Sequence, residues 1–232
     1  MIELLQNAQK TTHAGRDFWQ GELHGRRVVL ALSRIGKVAA ATTATALIER
    51  FGAGCMVFTG VAGGLAPGVN VGDVVVGREF MQHDLDVSPL YKRFEVPLYG
   101  TTCFVSDPVL TEQLLQAVRS ALAQREFAGL FPAAAVHAGM VASGDRFVSG
   151  ASESSALRAA LQSGDHDALA VEMECAAVAQ VCFDYRVPFA AVRTISDRAD
   201  DTAHVDFQRF IEQVASKYAL AIVEHFLKSV SK

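Results

Sequence analysis

The chain predicts an α/β domain in which helices cover both faces of a mixed sheet. Three observations carry this. Short apolar runs, often rich in valine, alternate with stretches of helical pattern along all 232 residues. Hydrophobic residues make up 50% and charged residues 20%, the balance of a globular chain with a large core. Val71-Gly-Asp-Val-Val-Val76 follows a glycine-rich stretch so closely that some strand pairs are expected to be antiparallel. A single domain is expected over 1–232, because no linker, internal repeat or low-complexity tract divides the chain.

Taken in order, Val28–Leu32 is the first expected strand. Val38–Phe51, rich in alanine and free of proline, is the first helix. Cys55–Thr59 and Asp73–Val76 are strands on either side of a glycine turn. The whole segment from Phe51 to Gly72 lacks charge, but its seven glycines and Pro67 cut it into pieces too short to span a membrane. Gly77 to Pro108 is the longest expected loop, holding His83, Asp84, Asp86, Pro89, Tyr91, Phe94, Pro97 and Tyr99. Loops of that length in compact domains are often functional. Leu110–Gln124 is a helix, Val136–Val141 a strand, Ser154–Leu161 a helix and Ala168–Val171 a strand. Met173–Phe183 is a helix, Phe189–Arg193 a strand and Phe207–Leu227 the last helix.

Charge and cysteines narrow the functional classes. A net charge of -4 argues against a nucleic-acid footprint. No run of Lys and Arg suggests a polybasic membrane anchor, and Met1-Ile-Glu-Leu-Leu-Gln has no secretory pattern. Neither nucleic acid nor membrane is therefore an expected partner. The cysteines, Cys55, Cys103, Cys175 and Cys182, form no CxxC pair and suit a reducing cytoplasm as ordinary buried residues. His83-Asp84 with Asp86 is too small a set for a metal centre, so no metal and no cofactor are expected.

Candidate chemistry sits where two expected strands end. Ala168-Leu-Ala-Val171 leads into Glu172, Met173 and Glu174; Val187-Pro-Phe-Ala-Ala-Val192 leads into Arg193, Ser196 and Asp197. Ligand chemistry in α/β proteins gathers at such ends. A carboxylic acid able to donate a proton, beside carboxylates that stay ionised, equips a site for cleavage of a glycosidic bond. Each group has a plain structural alternative. Glu172 and Glu174, pointing to one face if the segment is extended, could equally be carboxylates at a helix N-terminus. Asp197 could cap a helix or pair with Arg193 or Arg198. The stretch Gly60-Val-Ala-Gly63-Gly64 is either a tight turn needing positive φ or a place where backbone approaches a ligand. Phe147 and Val148 could be core residues at a strand end, and Phe207 the start of the last helix.

Four stretches together resemble the 5'-methylthioadenosine/S-adenosylhomocysteine nucleosidases of the nucleoside phosphorylase/hydrolase superfamily. They are Ser33-Arg-Ile-Gly-Lys37-Val, Thr59-Gly-Val-Ala-Gly-Gly64-Leu-Ala-Pro, Ser143-Gly-Asp-Arg-Phe147-Val, and the Glu172–Asp197 region. The resemblance implies a three-layer α/β/α sandwich with a mixed central sheet, and hydrolysis of the N-glycosidic bond of a small-molecule nucleoside in methionine salvage. It implies that Asp197 protonates N7 of adenine, for which burial of the acid is needed. It further implies that Glu174 holds the ribose hydroxyls and that Arg193 helps to place the water. Val61, Ala62, Gly63, Glu172, Met173 and Ser196 would line the ribose and base pocket. Phe147 would stack on the purine, Val148 would read its edge, and Phe207 would cover the 5' substituent. A homodimer is implied, with the Gly77–Pro108 loop at its interface, and the family uses no metal.

Two points remain open within the resemblance. The family opens with a strand and a turn bearing a glutamate, the expected base for the attacking water. This chain opens with Met1-Ile-Glu-Leu-Leu, which matches the helix that follows, so the first strand is expected to be missing. Glu3 lies two residues from the base's position, a turn of roughly 200° on a helix, and is not assigned the role; it is the obvious substitute where the N-terminus is extended rather than helical. Related phosphorylases carry an arginine where this chain has Phe58, which favours water over phosphate, with Arg34 and Arg78 as other possible phosphate donors. The rival readings are a purine nucleoside phosphorylase and a nucleoside-binding protein without catalysis. Methylthio, homocysteinyl and futalosine-type 5' groups are all compatible with the sequence.

Overall fold

The computed structural model describes residues 1–124, 131, 133–200, 203, 207, 210 and 214–229. The N-terminal part differs most from expectation. Met1–Leu5 holds only a three-residue 3₁₀ turn, Ile2–Leu4, in place of the expected helix. It is followed by a three-stranded antiparallel sheet, β1 (Gln6–His13), β2 (Arg16–Leu23) and β3 (Arg26–Ala31). β1 and β2 are polar, so a search for valine-rich runs passes over them. Their signal lies in the turns. Ala14-Gly15 and His24-Gly25 are two-residue connections with positive φ at both positions, as a type I′ hairpin requires.

The second sheet has the order β6-β5-β7-β8-β4-β9. Its strands are β4 (Met56–Gly64), β5 (Val74–Gln82), β6 (Phe104–Val105), β7 (Val136–Ser143), β8 (Ala168–Glu172) and β9 (Phe189–Asp197). It is mixed: β4 runs parallel to β9 and antiparallel to β8, and β5 runs parallel to β7. β5 also pairs antiparallel with β9, so the sheet curls until five strands close on themselves. β5 and β6 take residues from both ends of the expected Gly77–Pro108 loop, which shrinks to residues 83–103.

The described helices are α1 (Lys37–Glu49), α2 (Pro108–Leu122), α3 (Ala151–Gln162), α4 (Cys175–Tyr185) and α5 (Ser216–Ser229). Phe207 and Phe210 are also helical; the remainder of 201–213 in the expected last helix and its approach, apart from Ala203, lies outside the described residues. α2 starts sharply because Asp107 accepts the N–H groups of Val109 and Leu110 and Pro108 needs none. Alternation along the strands divides the core into layers. Val75, Ala191 and Ile195 face Ala40, Ala44, Val178 and Cys182 of α1 and α4. Val74, Val76, Ala190 and Val192 face Leu114, Val118, Tyr218 and Ile222 of α2 and α5. This is the three-layer α/β/α arrangement that the sequence predicts, with all nine residues of β9 buried between the helices.

The small sheet touches both helical layers. Phe18 stacks on Phe51 after α1, with centroids 4.5 Å apart, and the Arg16 guanidinium donates to the Ala39 carbonyl. On the other side Arg26 donates to the Leu227 carbonyl in α5. It therefore lies at the edge of the layers. Between it and the main sheet, β4 meets β8 only at Gly63 and Gly64, so among the described residues Met56–Ala62 have no ladder on that flank. Cys175 and Cys182 are buried in α4, as expected, and burial pushes the Cys182 thiol up to about 12. Cys55 is exposed and Cys103 half-buried, contrary to the expectation that all four are core residues.

Candidate active site

Two groups of polar side chains meet around β4. The first centres on Arg193, whose guanidinium is buried. Its Nε and Nη2 donate to Glu172 Oε2 at 3.2 and 2.8 Å, and Nη2 stands 3.9 Å from Glu174 Oε2. The guanidinium lies over the Phe58 ring, 4.2 Å from its centroid. Phe58 is thus the platform on which the arginine rests.

Glu172 is saturated. Besides Arg193 it accepts the Ser143 hydroxyl and the N–H groups of Glu174 and Cys175 at the start of α4. β8 ends at Glu172 and Glu174 is the N-cap of α4, so the expectation of an extended segment with both side chains on one face does not hold. The two carboxylates converge because both approach Arg193. Glu174 accepts one N–H, from Gly36 at 2.9 Å. Burial, and next the negative charge of Glu172, raise its carboxyl above the ordinary glutamate value.

The second group centres on Asp197. Its Oδ2 accepts the Ser196 hydroxyl at 2.8 Å, and its Oδ1 accepts the Ala199 N–H at 2.9 Å. Ser196 also reaches the Ala62 carbonyl at 3.4 Å. The β4–β9 register pairs Gly60 with Arg193 and Gly63 with Asp197, with Ser196 as the extra residue of a bulge. Such a bulge re-aims the side chain that follows it. Arg198 turns away to Asn70, and Ser196 and Ala199 are among the groups that hold the acid.

The glycines of β4 now have their reason. Gly60, Gly63 and Gly64 lie in the strand without positive φ, so the expected tight turn is absent from this stretch. A Cβ on Gly60 would stand 2.7 Å from Arg193 Nη1, and one on Gly63 would stand 2.8 Å from Asp197 Oδ1. They make room for the two charged side chains of β9. Gly63 also pairs with Val171, directly before Glu172, so the ends of β8 and β9 flank one glycine.

Val148 is buried in a cluster with Val171 and Ala199. Phe147 is 40% exposed and meets Phe207 edge-on, with centroids 5.4 Å apart. Met173 and Val61 are half-buried and Ala62 is buried. A hollow of about 360 Å³ lies between Gly64, Arg158, Arg198 and Ala199, and another of about 610 Å³ lies near Phe189 at the far end of β9; the side chains of Asp197, Glu174, Arg193, Phe147 and Met173 line neither. The contacts of Gly36 and Phe58 were missed by sequence reasoning. The signal for Gly36 is its place in the Ser33-Arg-Ile-Gly-Lys37-Val stretch.

Among the described residues no three His, Cys, Asp or Glu side chains gather as a metal site. No described helix is long and apolar enough to cross a membrane.

A buried aspartate at the end of β9, a half-buried glutamate just after β8 and a mixed sheet closed on itself are compared here with known proteins. The model of the Phosphorylase superfamily matches residues 3–228. The chain is 38% identical over 215 residues to the 5'-methylthioadenosine/S-adenosylhomocysteine nucleosidase of Anoxybacillus flavithermus, covering 92% of this chain and 86% of that one. The solved Neisseria meningitidis nucleosidase, in complex with methylthio-immucillin-A, superposes with a TM-score of 0.86 at 38% identity, covering 98% and 92% of the two chains. Futalosine hydrolase of Helicobacter pylori superposes with a TM-score of 0.85 at 27% identity, covering 99% and 91%. The chain belongs to the 5'-methylthioadenosine/S-adenosylhomocysteine nucleosidase family of the phosphorylase superfamily.

Proposed function

We propose that the protein hydrolyses the N-glycosidic bond of 5'-methylthioadenosine or S-adenosylhomocysteine, releasing adenine and a 5-thio-substituted ribose. The observation that carries this is the pair of buried groups held by β4: Asp197 across from Gly63, and Arg193 across from Gly60 with the half-buried Glu174 3.9 Å from its guanidinium. Asp197 gives a proton to N7 while the C1'–N9 bond breaks, so its electron pair leaves on neutral adenine. Water bonds to C1' and passes its proton to a neighbouring water molecule. Glu174 holds the ribose hydroxyls and strengthens that bond as the sugar gains positive charge. Arg193 helps to place the water, and Glu172 fixes Arg193. Phe147, Val148, Met173 and Phe207, with Val61, Ala62, Gly63 and Ser196, make up the rest of the nucleoside pocket.

Hydrolysis is favoured over phosphorolysis by what the other arginines do. Phe58 stands where a phosphate-binding arginine is expected, the Arg34 guanidinium donates to the Gly15 carbonyl, and Arg78 is exposed. The test is adenine release from 5'-methylthioadenosine, S-adenosylhomocysteine, futalosine and adenosine, with and without phosphate. Release that requires phosphate would sink the hydrolase reading. Binding without release would favour the non-catalytic reading. Glu3, exposed on the first turn, is not assigned as the base.

The protein is proposed to work in the cytoplasm as a homodimer. Phe94 and Val96 of the 83–103 loop are buried within their own protomer, which narrows the expected interface. Leu90 and Leu98 remain exposed, together with Leu32, Ile35 and Val38 around Gly36. Covering them with a second copy would bring the partner beside Glu174. Sedimentation at micromolar concentration is expected to give a dimer; a stable monomer would remove the idea of a shared 5' pocket.

A further inference from the structure

Three stretches that the catalytic reading leaves without a task meet in a ring: Gly36-Lys37, His83-Asp84 and Gly144-Asp145. Lys37 Nζ stands 2.5 Å from Asp84 Oδ1. The Asp145 N–H donates to Asp84 Oδ2 at 2.9 Å, and the Lys37 N–H donates to Asp145 Oδ1 at 2.7 Å. Each residue is bonded to the other two, so the ring closes on itself. It is anchored to the main sheet where the His83 N–H donates to the Ser143 carbonyl at 2.9 Å. The His83 ring lies so close over Gly144 that a Cβ there would be 2.3 Å from Nε2.

The ring ends one residue from the site. The Gly36 N–H that holds Glu174 Oε1 belongs to the residue before Lys37. Gly36 has φ 93° and ψ 158°, a conformation that belongs to glycine. A Cβ there would also press to 3.1 Å on Asp145 Oδ1. α1 starts at this point without a side-chain cap, and its first N–H groups are taken by the carboxylates of Glu174 and Asp145. The positive end of the helix favours both.

We propose that Lys37, Asp84 and Asp145 are positioning residues, which fix the direction of the Gly36 N–H and thereby aim Glu174 at the ribose. The inference rests on the reading of Glu174 as the ribose group. The Lys37–Asp84 pair is partly exposed, with 17% and 33% of the side chains accessible, so it adds little to stability by itself. Its loss should be read in ligand geometry.

The measurement is the dissociation constant of the 7-deaza analogue of 5'-methylthioadenosine, which has no N7 to protonate, against that of its 2'-deoxy counterpart. The unaltered protein should prefer the ribo form by about ten-fold, the size of one charged hydrogen bond. Glu174→Gln should lose most of that preference. Asp84→Ala and Lys37→Ala should move towards Glu174→Gln while their melting temperatures stay close to the parent's. Lys37→Arg should restore the preference. If Asp84→Ala does not fold, Asp84→Asn keeps the shape, drops the charge pair and is read in the same way. No ribose preference in the parent, or an unchanged one in Glu174→Gln, would overturn the role of Glu174 and the inference with it. A preference lost in Glu174→Gln but kept in Asp84→Ala and Lys37→Ala would overturn the clamp alone. Equal weakening of both ligands would show a merely structural role.

Discussion

At the end of β8, Glu172 accepts hydrogen bonds from Ser143, from both donors of Arg193 and from two backbone N–H groups, and its side chain is 3% exposed. At the start of α4, Glu174 accepts one N–H from Gly36, stands 3.9 Å from the same guanidinium, and is 15% exposed. The difference teaches how to tell a structural carboxylate from one available to a ligand. Residue type and burial are similar; what separates them is acceptor capacity already in use. Glu172 has spent its lone pairs on the protein, and its work is to hold the Arg193 guanidinium in place. Asp197 shares the deep burial of Glu172 but lies at a bulge, held by its immediate neighbours Ser196 and Ala199.

Each member of this comparison can be broken separately. The largest effect belongs to Asp197→Asn. The amide keeps the shape but transfers no proton, so turnover is expected to fall by about 10²–10⁴ with nucleoside affinity nearly kept. Adenine release and equilibrium binding together check this, and near-normal turnover would remove Asp197 from the mechanism. Next is Glu172→Ala, which leaves the buried guanidinium with only Glu174 nearby. A loss of about 3–5 kcal/mol in denaturant unfolding is expected. If the variant unfolds like the parent, Glu172 is no structural member and belongs with Glu174.

Glu174→Gln should leave the fold intact and weaken nucleoside binding by about ten-fold. In the unaltered protein, affinity should drop as pH falls through the raised range of Glu174, because the protonated group no longer accepts as an anion. The glutamine variant should show no such limb, and a limb that persists would trace to another group. The smallest effect is on stability. A carboxyl whose folded value is raised favours the fold below its unfolded value and loses that contribution as pH rises through the folded value. Glu174→Gln should therefore melt slightly higher than the parent at neutral pH, with the gap closing towards acid. A lower melting temperature at neutral pH would mean that Gly36 and Arg193 more than offset the cost of burial.

Much of this architecture is legible in the chain because it depends on local pattern. β5, β7, β8 and β9 and helices α1 to α4 lie where apolar periodicity puts them, and the strand ends that carry Glu172 and Asp197 follow from it. β1 and β2 escaped because their polar residues carry no apolar run, although Ala14-Gly15 and His24-Gly25 mark the hairpins. The glycines of β4 were visible, but their reason was not: a glycine that avoids a distant side chain looks the same in sequence as one that needs positive φ.

The sequence by itself determined the mixed α/β layers and the residue types brought to the strand ends, since both follow from spacing along the chain. Only the tertiary structure decided which carboxylate is saturated, that Phe58 carries Arg193, and that Lys37, Asp84 and Asp145 close a ring beside Gly36. Apart from the neighbouring N–H groups of Glu174 and Cys175, these contacts join residues 21 to 138 positions apart. Hydrogen-bond capacity is a property of such surroundings, and it is filled only when the chain closes in three dimensions.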